Sequence, residues 1–134
     1  MSILVDTSVW SVALRRDPPA DDAITAELAT VVGEGRVVMI GPIRQELLSG
    51  IRQPRQFERL RAHLRAFPDL RLEEADYEEA ASVFNHCRRR GIQGSNTDFL
   101  ICATSIRRDL SIFTTDRDFE RYADIVDLRL HLPR

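Results

Sequence analysis

Four acidic residues lie at positions where α/β proteins commonly place a functional site. Asp6 follows the apolar run Ile3–Val5, and Asp116 follows a second apolar run in the segment IFTTDRDF. Glu46 lies among apolar residues in GPIRQELLSGI, and Asp98 precedes three apolar residues in SNTDFLICA. In an open parallel sheet, sites form beyond the carboxyl ends of the strands. We therefore expect these four carboxylates, which are distant in sequence, to meet in one pocket.

Clustered carboxylates indicate a particular chemistry. Without a cation they repel one another and raise one another's pKa. Hard divalent cations with oxygen ligands, Mg²⁺ or Mn²⁺, are their natural partners, and the three histidines show no spacing typical of ligands. Such sites typically serve phosphoryl chemistry, so the sequence predicts a metal-dependent phosphodiesterase. The alternative is structural, because any one of these acids would also fit a helix cap or a turn.

The elements that must position the acids alternate between strands and helices, which predicts an α/β sandwich around a mostly parallel sheet. Strands are expected at Ser2–Val5, in RVVMI, in the edge-like DLRLEE, in LSIFT and in IVDLRL.

Helix boundaries follow from breakers and caps. A first helix is predicted from about Ser8 to Arg15, with Asp6, Thr7 or Ser8 as its cap and a stop at Pro18-Pro19. Pro42 and Pro54 suit the first turns of two further helices. A long helix is predicted from about Ala75 to Arg90, with an inner stripe of Tyr77, Ala80, Ala81, Phe84 and Cys87. The next helix is expected to have Asn96 or Thr97 as its cap.

Composition narrows the class of protein. The chain has 134 residues, 43% of them hydrophobic, and a formal net charge of −2, which suits one folded domain without a global basic field. All 19 basic residues are arginine, which coding bias explains adequately. No stretch has the length of a membrane span, and no signal peptide is apparent. The two cysteines show no metal spacing, so we expect reduced thiols in a cytoplasmic protein.

Four segments together resemble a known family. ILVDTSVW, GPIRQELLSGI, SNTDFLICA and IFTTDRDF resemble the signature segments of PIN-domain nucleases, and they look most like those of VapC-type toxins of bacterial toxin–antitoxin pairs. The resemblance covers Ile3 to about Val126. It implies a single PIN domain over residues 1–134, built as a three-layer sandwich with four to five strands and about seven helices.

The resemblance also implies a catalytic site. Asp6, Glu46, Asp98 and Asp116 match the acidic quartet that holds Mg²⁺ or Mn²⁺ in the family, where a metal-activated water cleaves RNA. Supporting roles are implied for the hydroxyl or polar residues Thr7, Ser8, Asn96 and Thr114. Asp118 is either a fifth acid near a second metal or the cap of a short helix, and we favour the cap. Arg44, Arg52 and Arg55 either contact RNA phosphates or form a solvated helix face.

Partners are implied by the resemblance alone. Toxins of this family form homodimers and bind a cognate antitoxin, giving heterotetramers or larger assemblies. We expect an RNA substrate, no membrane association and no direct DNA binding by this chain. Two alternatives remain: a catalytically silent PIN-like protein-interaction module, and a flap-type DNA nuclease. The intact quartet argues against the first, and the absence of duplex-clamping insertions argues against the second.

Overall fold

A computed structural model describes residues 1–14 and 22–134. The elements, in chain order, are β1 (Ile3–Val5), α1 (Thr7–Ala13), α2 (Ala23–Gly33), β2 (Val37–Val38), α3 (Gly41–Leu48), α4 (Pro54–Leu64), α5 (Glu74–Arg89), α6 (Asn96–Arg108), β3 (Ser111–Phe113) and α7 (Asp118–Ala123). These described elements confirm the α/β class and the expected number of helices.

The sheet is parallel and has β1 at its centre, in the order β2-β1-β3. Ile3 lies opposite Val37 on one side, and Leu4 lies opposite Ile112 on the other. All three residues of β1 are fully buried, as expected for an apolar strand covered on both faces. Because β1 and β3 run in the same direction, the segments that follow them leave at the same edge of the sheet.

The described sheet has three strands, so the prediction of four to five was too high. The DLRLEE segment contributes one bridge, between Asp69 and Met39. Its ladder stops there because the chain turns into α5, whose cap is Glu73. The IVDLRL segment likewise makes one bridge, from Leu130 to Ile112. Its first residues are unavailable for pairing, since the Ile125 and Val126 amides bind the Tyr122 carbonyl at the end of α7.

Two helix predictions need correction at their ends. The first helix spans Thr7–Ala13, one residue earlier at its start than predicted, and the predicted end at Arg15 lies outside the described residues. Asp6 occupies the cap position, as one of the three predicted candidates, but makes no side-chain cap bond. The predicted stop at Pro18-Pro19 lies outside the described residues. Ser95, not Asn96 or Thr97, caps α6, because its hydroxyl accepts a hydrogen bond from the Asp98 amide.

The inner face of α5 is partly different from the predicted stripe. Cys87 is buried as expected, but Tyr77 is 54% exposed. Asp76 takes an inner position, where Arg107 and Arg108 of α6 bind its two carboxylate oxygens at 2.5 and 2.7 Å. The buried Asp76 carboxylate is tolerated there because the two arginines neutralise its charge and donate hydrogen bonds to both of its oxygens. This contact joins α5 to the helix that carries Asp98.

The hydrophobic core lies on both sides of the sheet and includes Trp10, Phe99, Phe113 and Phe119. Both cysteines are free and buried, which agrees with the predicted reduced thiols. Within residues 1–14 and 22–134, no helix combines the length and apolar character needed to cross a membrane.

Candidate functional site

Asp6 lies at the carboxyl end of β1 and is only 6% exposed. One of its oxygens, Oδ2, accepts hydrogen bonds from the Ser8 and Thr114 hydroxyls, both at 2.8 Å. These hydroxyls in turn accept bonds from backbone amides: Thr115 N–H binds Ser8, and Asp116 N–H binds Thr114, both at 3.0 Å. Each hydroxyl proton is therefore directed at Oδ2, which fixes the orientation of the carboxylate.

Asp116 follows β3 and is half-buried. Its Oδ1 accepts the Asp118 amide at 2.9 Å, a local turn that leads into α7. Asp118 is the first residue of that helix, and Arg117 occupies the cap position. The interpretation of Asp118 as the cap is therefore wrong, because the adjacent Asp116 side chain receives the helix's first amide instead.

Asp98 lies in the first turn of α6 and is half-buried. Its Oδ2 accepts a hydrogen bond of 2.8 Å from the hydroxyl of Tyr122, a fully buried residue of α7. Sequence reasoning missed Tyr122. Its position in DRDFERYA is typical of a core aromatic, and nothing in the sequence indicates that its hydroxyl reaches a residue of another helix.

The three aspartates interact electrostatically. Burial raises the pKa of Asp98, and the negative charges of Asp6 and Asp116 raise it further, while the Tyr122 hydrogen bond acts in the opposite direction. Asp6 and Asp116 follow the parallel strands β1 and β3 at the same edge of the sheet, and Asp98 lies in the first turn of α6. That these carboxylates form one metal site stays a prediction.

Glu46 approaches the same edge from α3 and is exposed. Its Oε1 accepts a hydrogen bond of 3.0 Å from the Thr7 hydroxyl, directly after Asp6. Glu46 and Thr7 line an open cleft whose wall also includes Thr97, the neighbour of Asp98. Thr7 therefore connects the fourth acid to the end of β1.

The donor chemistry suits a hard cation, although the carboxylates are not drawn together. Among residues 1–14 and 22–134, no three His, Cys, Asp or Glu side chains are arranged to hold a metal ion as they stand. In that part of the chain, however, Asp6 and Asp116 each engage one oxygen and leave the other without a hydrogen bond from the protein. Asp98 engages Oδ2 with Tyr122, and Ser95 also acts on its carboxylate. Free carboxylate oxygens are the ligands that Mg²⁺ and Mn²⁺ prefer. Binding would require side-chain rotation against the mutual repulsion of the charges.

The remaining predicted residues have different surroundings. Arg44 binds Asp69 at 2.9 Å and the carbonyls of Leu64 and Phe67, so its guanidinium tethers α3 to the end of α4. These bonds are a structural role that the sequence did not predict, and the RNA contact of Arg44 stays a prediction. Arg52 and Arg55 are exposed around the start of α4. Asn96 is exposed on α6 and borders a shallow apolar groove next to Phe84 rather than the acids.

Comparison with known families agrees with this geometry. The family model of the PIN domain matches residues 3–125. The chain belongs to the PIN-domain family. This PIN domain is 33% identical, over 132 residues, to a VapC ribonuclease of Mycobacterium bovis and to ribonuclease VapC11 of Mycobacterium tuberculosis. The matches cover 95% of this chain and 96% of each relative. The family predicted from the four sequence segments is thereby confirmed.

Solved structures confirm the PIN fold. A Neisseria gonorrhoeae FitAcB structure gives a TM-score of 0.78 at 23% identity, covering 98% of this chain and 97% of that one. A Rickettsia felis VapBC2 structure, bound to a promoter DNA fragment, gives 0.79 at 18% identity and covers 98% of both chains. At these identities the likeness establishes the architecture alone.

Proposed function

We propose that this PIN domain is a metal-dependent endoribonuclease and the toxin component of a VapBC-type pair. The observation that carries the proposal is the placement of Asp6 and Asp116 after the parallel strands β1 and β3, with both charges acting on Asp98 at the start of α6. The VapC ribonucleases that share 33% identity over almost the whole chain support RNA as the substrate class.

Different residues of the chain would bind the metal ion and orient its ligands. Asp6, Asp98 and Asp116 would hold a Mg²⁺ or Mn²⁺ ion, with Glu46 completing the acidic group from the far wall of the cleft. The bound cation supplies an activated water and neutralises phosphate charge. Ser8 and Thr114 hold the Asp6 carboxylate in its orientation, because both donate to its Oδ2. Thr7 restricts the rotation of Glu46 through their hydrogen bond.

A protein antitoxin is the proposed partner. The Rickettsia felis neighbour is a VapBC2 structure, which supports a toxin–antitoxin pair of the same type here. We also propose a homodimer as the toxin's own assembly. A catalytically silent interaction module is the competing function, and it predicts no cleavage and no divalent-cation binding.

Cleavage of total RNA by the purified protein tests the proposal. We expect cleavage with Mg²⁺ or Mn²⁺, loss of cleavage in EDTA, and a loss of about a hundred-fold or more in Asp98→Asn, since a metal ligand contributes several kcal/mol to the transition state. Asp127→Asn is the matched control, because Asp127 is an exposed aspartate remote in sequence from the four acids.

Product ends provide an independent check. Attack by water leaves 5′-phosphate and 3′-hydroxyl ends, whereas attack by the RNA's own 2′-hydroxyl leaves 2′,3′-cyclic phosphate. Cyclic ends, or cleavage that persists in EDTA, would contradict the proposal.

A further inference from the structure

Tyr122 is a buried residue whose polar atom makes a hydrogen bond to one of the predicted acidic residues. The residue is 0% exposed, and its hydroxyl lies 2.8 Å from Asp98 Oδ2. A buried Tyr hydroxyl normally has a hydrogen-bond partner. Here the partner is a carboxylate of the candidate active site, so the bond also affects how that carboxylate is oriented. Tyr122 and Asp98 belong to different helices, so the bond also fixes α7 against the start of α6.

The surroundings of Tyr122 fix the position of its hydroxyl. The ring packs against Phe99 at 5.2 Å and against Phe119 at 5.1 Å between ring centroids. Above the hydroxyl lies Gly94, where any Cβ would overlap the Tyr122 oxygen and approach the Phe99 ring to 2.9 Å. The ring therefore has little freedom to rotate, and the glycine is required for the hydroxyl to occupy this place.

The contact fixes one oxygen of Asp98. Oδ2 accepts the hydrogen bond from Tyr122, and the Ser95 hydroxyl, which accepts the Asp98 amide, also acts on this carboxylate. Asp6 and Asp116 follow the same pattern, but their donors are local hydroxyls and amides. Outer partners that orient a carboxylate in this way typically change metal affinity by 10–100-fold when they are removed.

We propose that Tyr122 is a positioning residue, whose hydroxyl holds one oxygen of Asp98 so that the other is presented to a divalent cation, and that Gly94 provides the space for it. The proposal rests on the proposed function, since it requires Asp98 to bind the metal. It assigns a role to a residue that lies outside the acidic quartet and never touches the substrate.

Titration of the metal-free protein with Mn²⁺ by calorimetry tests the proposal without reference to activity. Tyr122→Phe keeps the ring and removes the hydroxyl, so we expect Mn²⁺ affinity to fall roughly ten-fold or more. Tyr77→Phe is the matched control, because Tyr77 is the chain's other tyrosine and is exposed on α5. Its affinity should equal that of the unaltered protein. All titrations are made well below the unfolding temperature of each variant, so that a change in stability does not enter the affinity.

Gly94→Ala provides a second route to the same test. It keeps the hydroxyl in the chain but displaces it from Asp98, and it should also weaken Mn²⁺ binding. If Tyr122→Phe does not fold, this variant decides the question. Unchanged or tighter Mn²⁺ binding in these variants would overturn the positioning role while leaving the metal site intact. Failure of the unaltered protein to bind Mn²⁺ would overturn both this role and the proposed metal-dependent function.

Discussion

At the scale of single residues, the site depends on hydroxyl groups that each make two directed bonds. Thr114 receives the Asp116 amide and donates to Asp6, so one side chain links the ends of two strands. A hydrogen bond to a charged acceptor contributes more than one between neutral groups. The hydroxyls thus stabilise the same carboxylate whose charge the neighbouring acids oppose.

Thr114→Val removes this link while keeping the shape of the side chain. We expect the free energy of unfolding to fall by about 1–2 kcal/mol, because the variant leaves the Asp116 amide unpaired and takes one donor from Asp6. Urea denaturation measures the change. Thr115→Val is the control, since the Thr115 side chain is exposed and only its backbone amide takes part. Equal effects of the two variants would contradict the role of the hydroxyl.

At the scale of elements, Asp76 joins α5 to α6. Burial alone would raise the pKa of Asp76, but hydrogen bonds from Arg108, from the Glu73 backbone and from Arg107 outweigh it and lower the pKa to about 2. A carboxyl group whose pKa is lowered on folding stabilises the protein above its unfolded pKa, which is about 4. That stabilisation is lost as the pH falls through the folded value.

Asp76→Asn should therefore be less stable than the unaltered protein at neutral pH, by roughly 2 kcal/mol for a shift of this size. The difference should persist down to about pH 4 and shrink towards pH 2, where Asp76 becomes protonated. Unfolding by urea across this pH range measures it. Glu78→Gln, an exposed change on the same helix, should show no such pH dependence. A difference that stays constant down to pH 2 would show that the charge of Asp76 is not its cause.

Sequence predicted elements better than it predicted their pairing. Helical spacing and Pro54 placed α4 correctly, and the strand before Asp6 was identified because its apolar run stands next to polar residues. The segments around Asp69 and Leu130 looked equally strand-like, yet each makes a single bridge. Periodicity reports which residues are apolar, whereas pairing depends on where the adjoining helices force the chain to turn.

In the candidate site, likewise, sequence predicted which elements carry the acids better than it predicted the contacts between side chains. The four acids were predicted because strand ends and helix starts have a fixed place in a parallel sheet, and their role as metal ligands stays a prediction. Tyr122 was not predicted, since its contact with Asp98 depends on how α6 and α7 dock. Ser95 was missed for a different reason, because its neighbours Asn96 and Thr97 are equally common cap residues and only the local backbone shows which one caps α6. For Arg44 the sequence predicted either an RNA contact or a solvated helix face. Its hydrogen bond to the Phe67 carbonyl depends on how α3 packs against the end of α4, which the sequence does not show.

At the scale of the whole molecule, the proposed RNA substrate is negatively charged and would have to bind beside acidic residues. Exposed arginines near the cleft would offset this repulsion. Arg52 and Arg55 are exposed at the start of α4, which follows the Glu46 helix. Within the described residues neither forms an ion pair, so both are available to phosphates. Arg44, by contrast, is already paired with Asp69.

Arg52→Gln and Arg55→Gln should each weaken RNA binding and reduce the slope of log affinity against log salt by roughly one. Binding of a mixed-sequence RNA is measured in EDTA at several salt concentrations, so that cleavage does not interfere. Arg90→Gln, at the end of α5, is the control for loss of one exposed positive charge. A slope that neither variant changes would place these arginines on a solvated face without RNA.

The central position of β1 has a consequence for synthesis of the protein on the ribosome. Residue 4 pairs with residue 112, and Asp6 accepts a hydrogen bond from the Thr114 hydroxyl. The strand β1 therefore cannot pair with β3 until the chain has been synthesised past residue 113. A nascent or prematurely terminated chain that stops before β3 lacks both that strand and Asp116. Chains that stop before β3 therefore lack one of the three aspartates on which the proposed metal site depends.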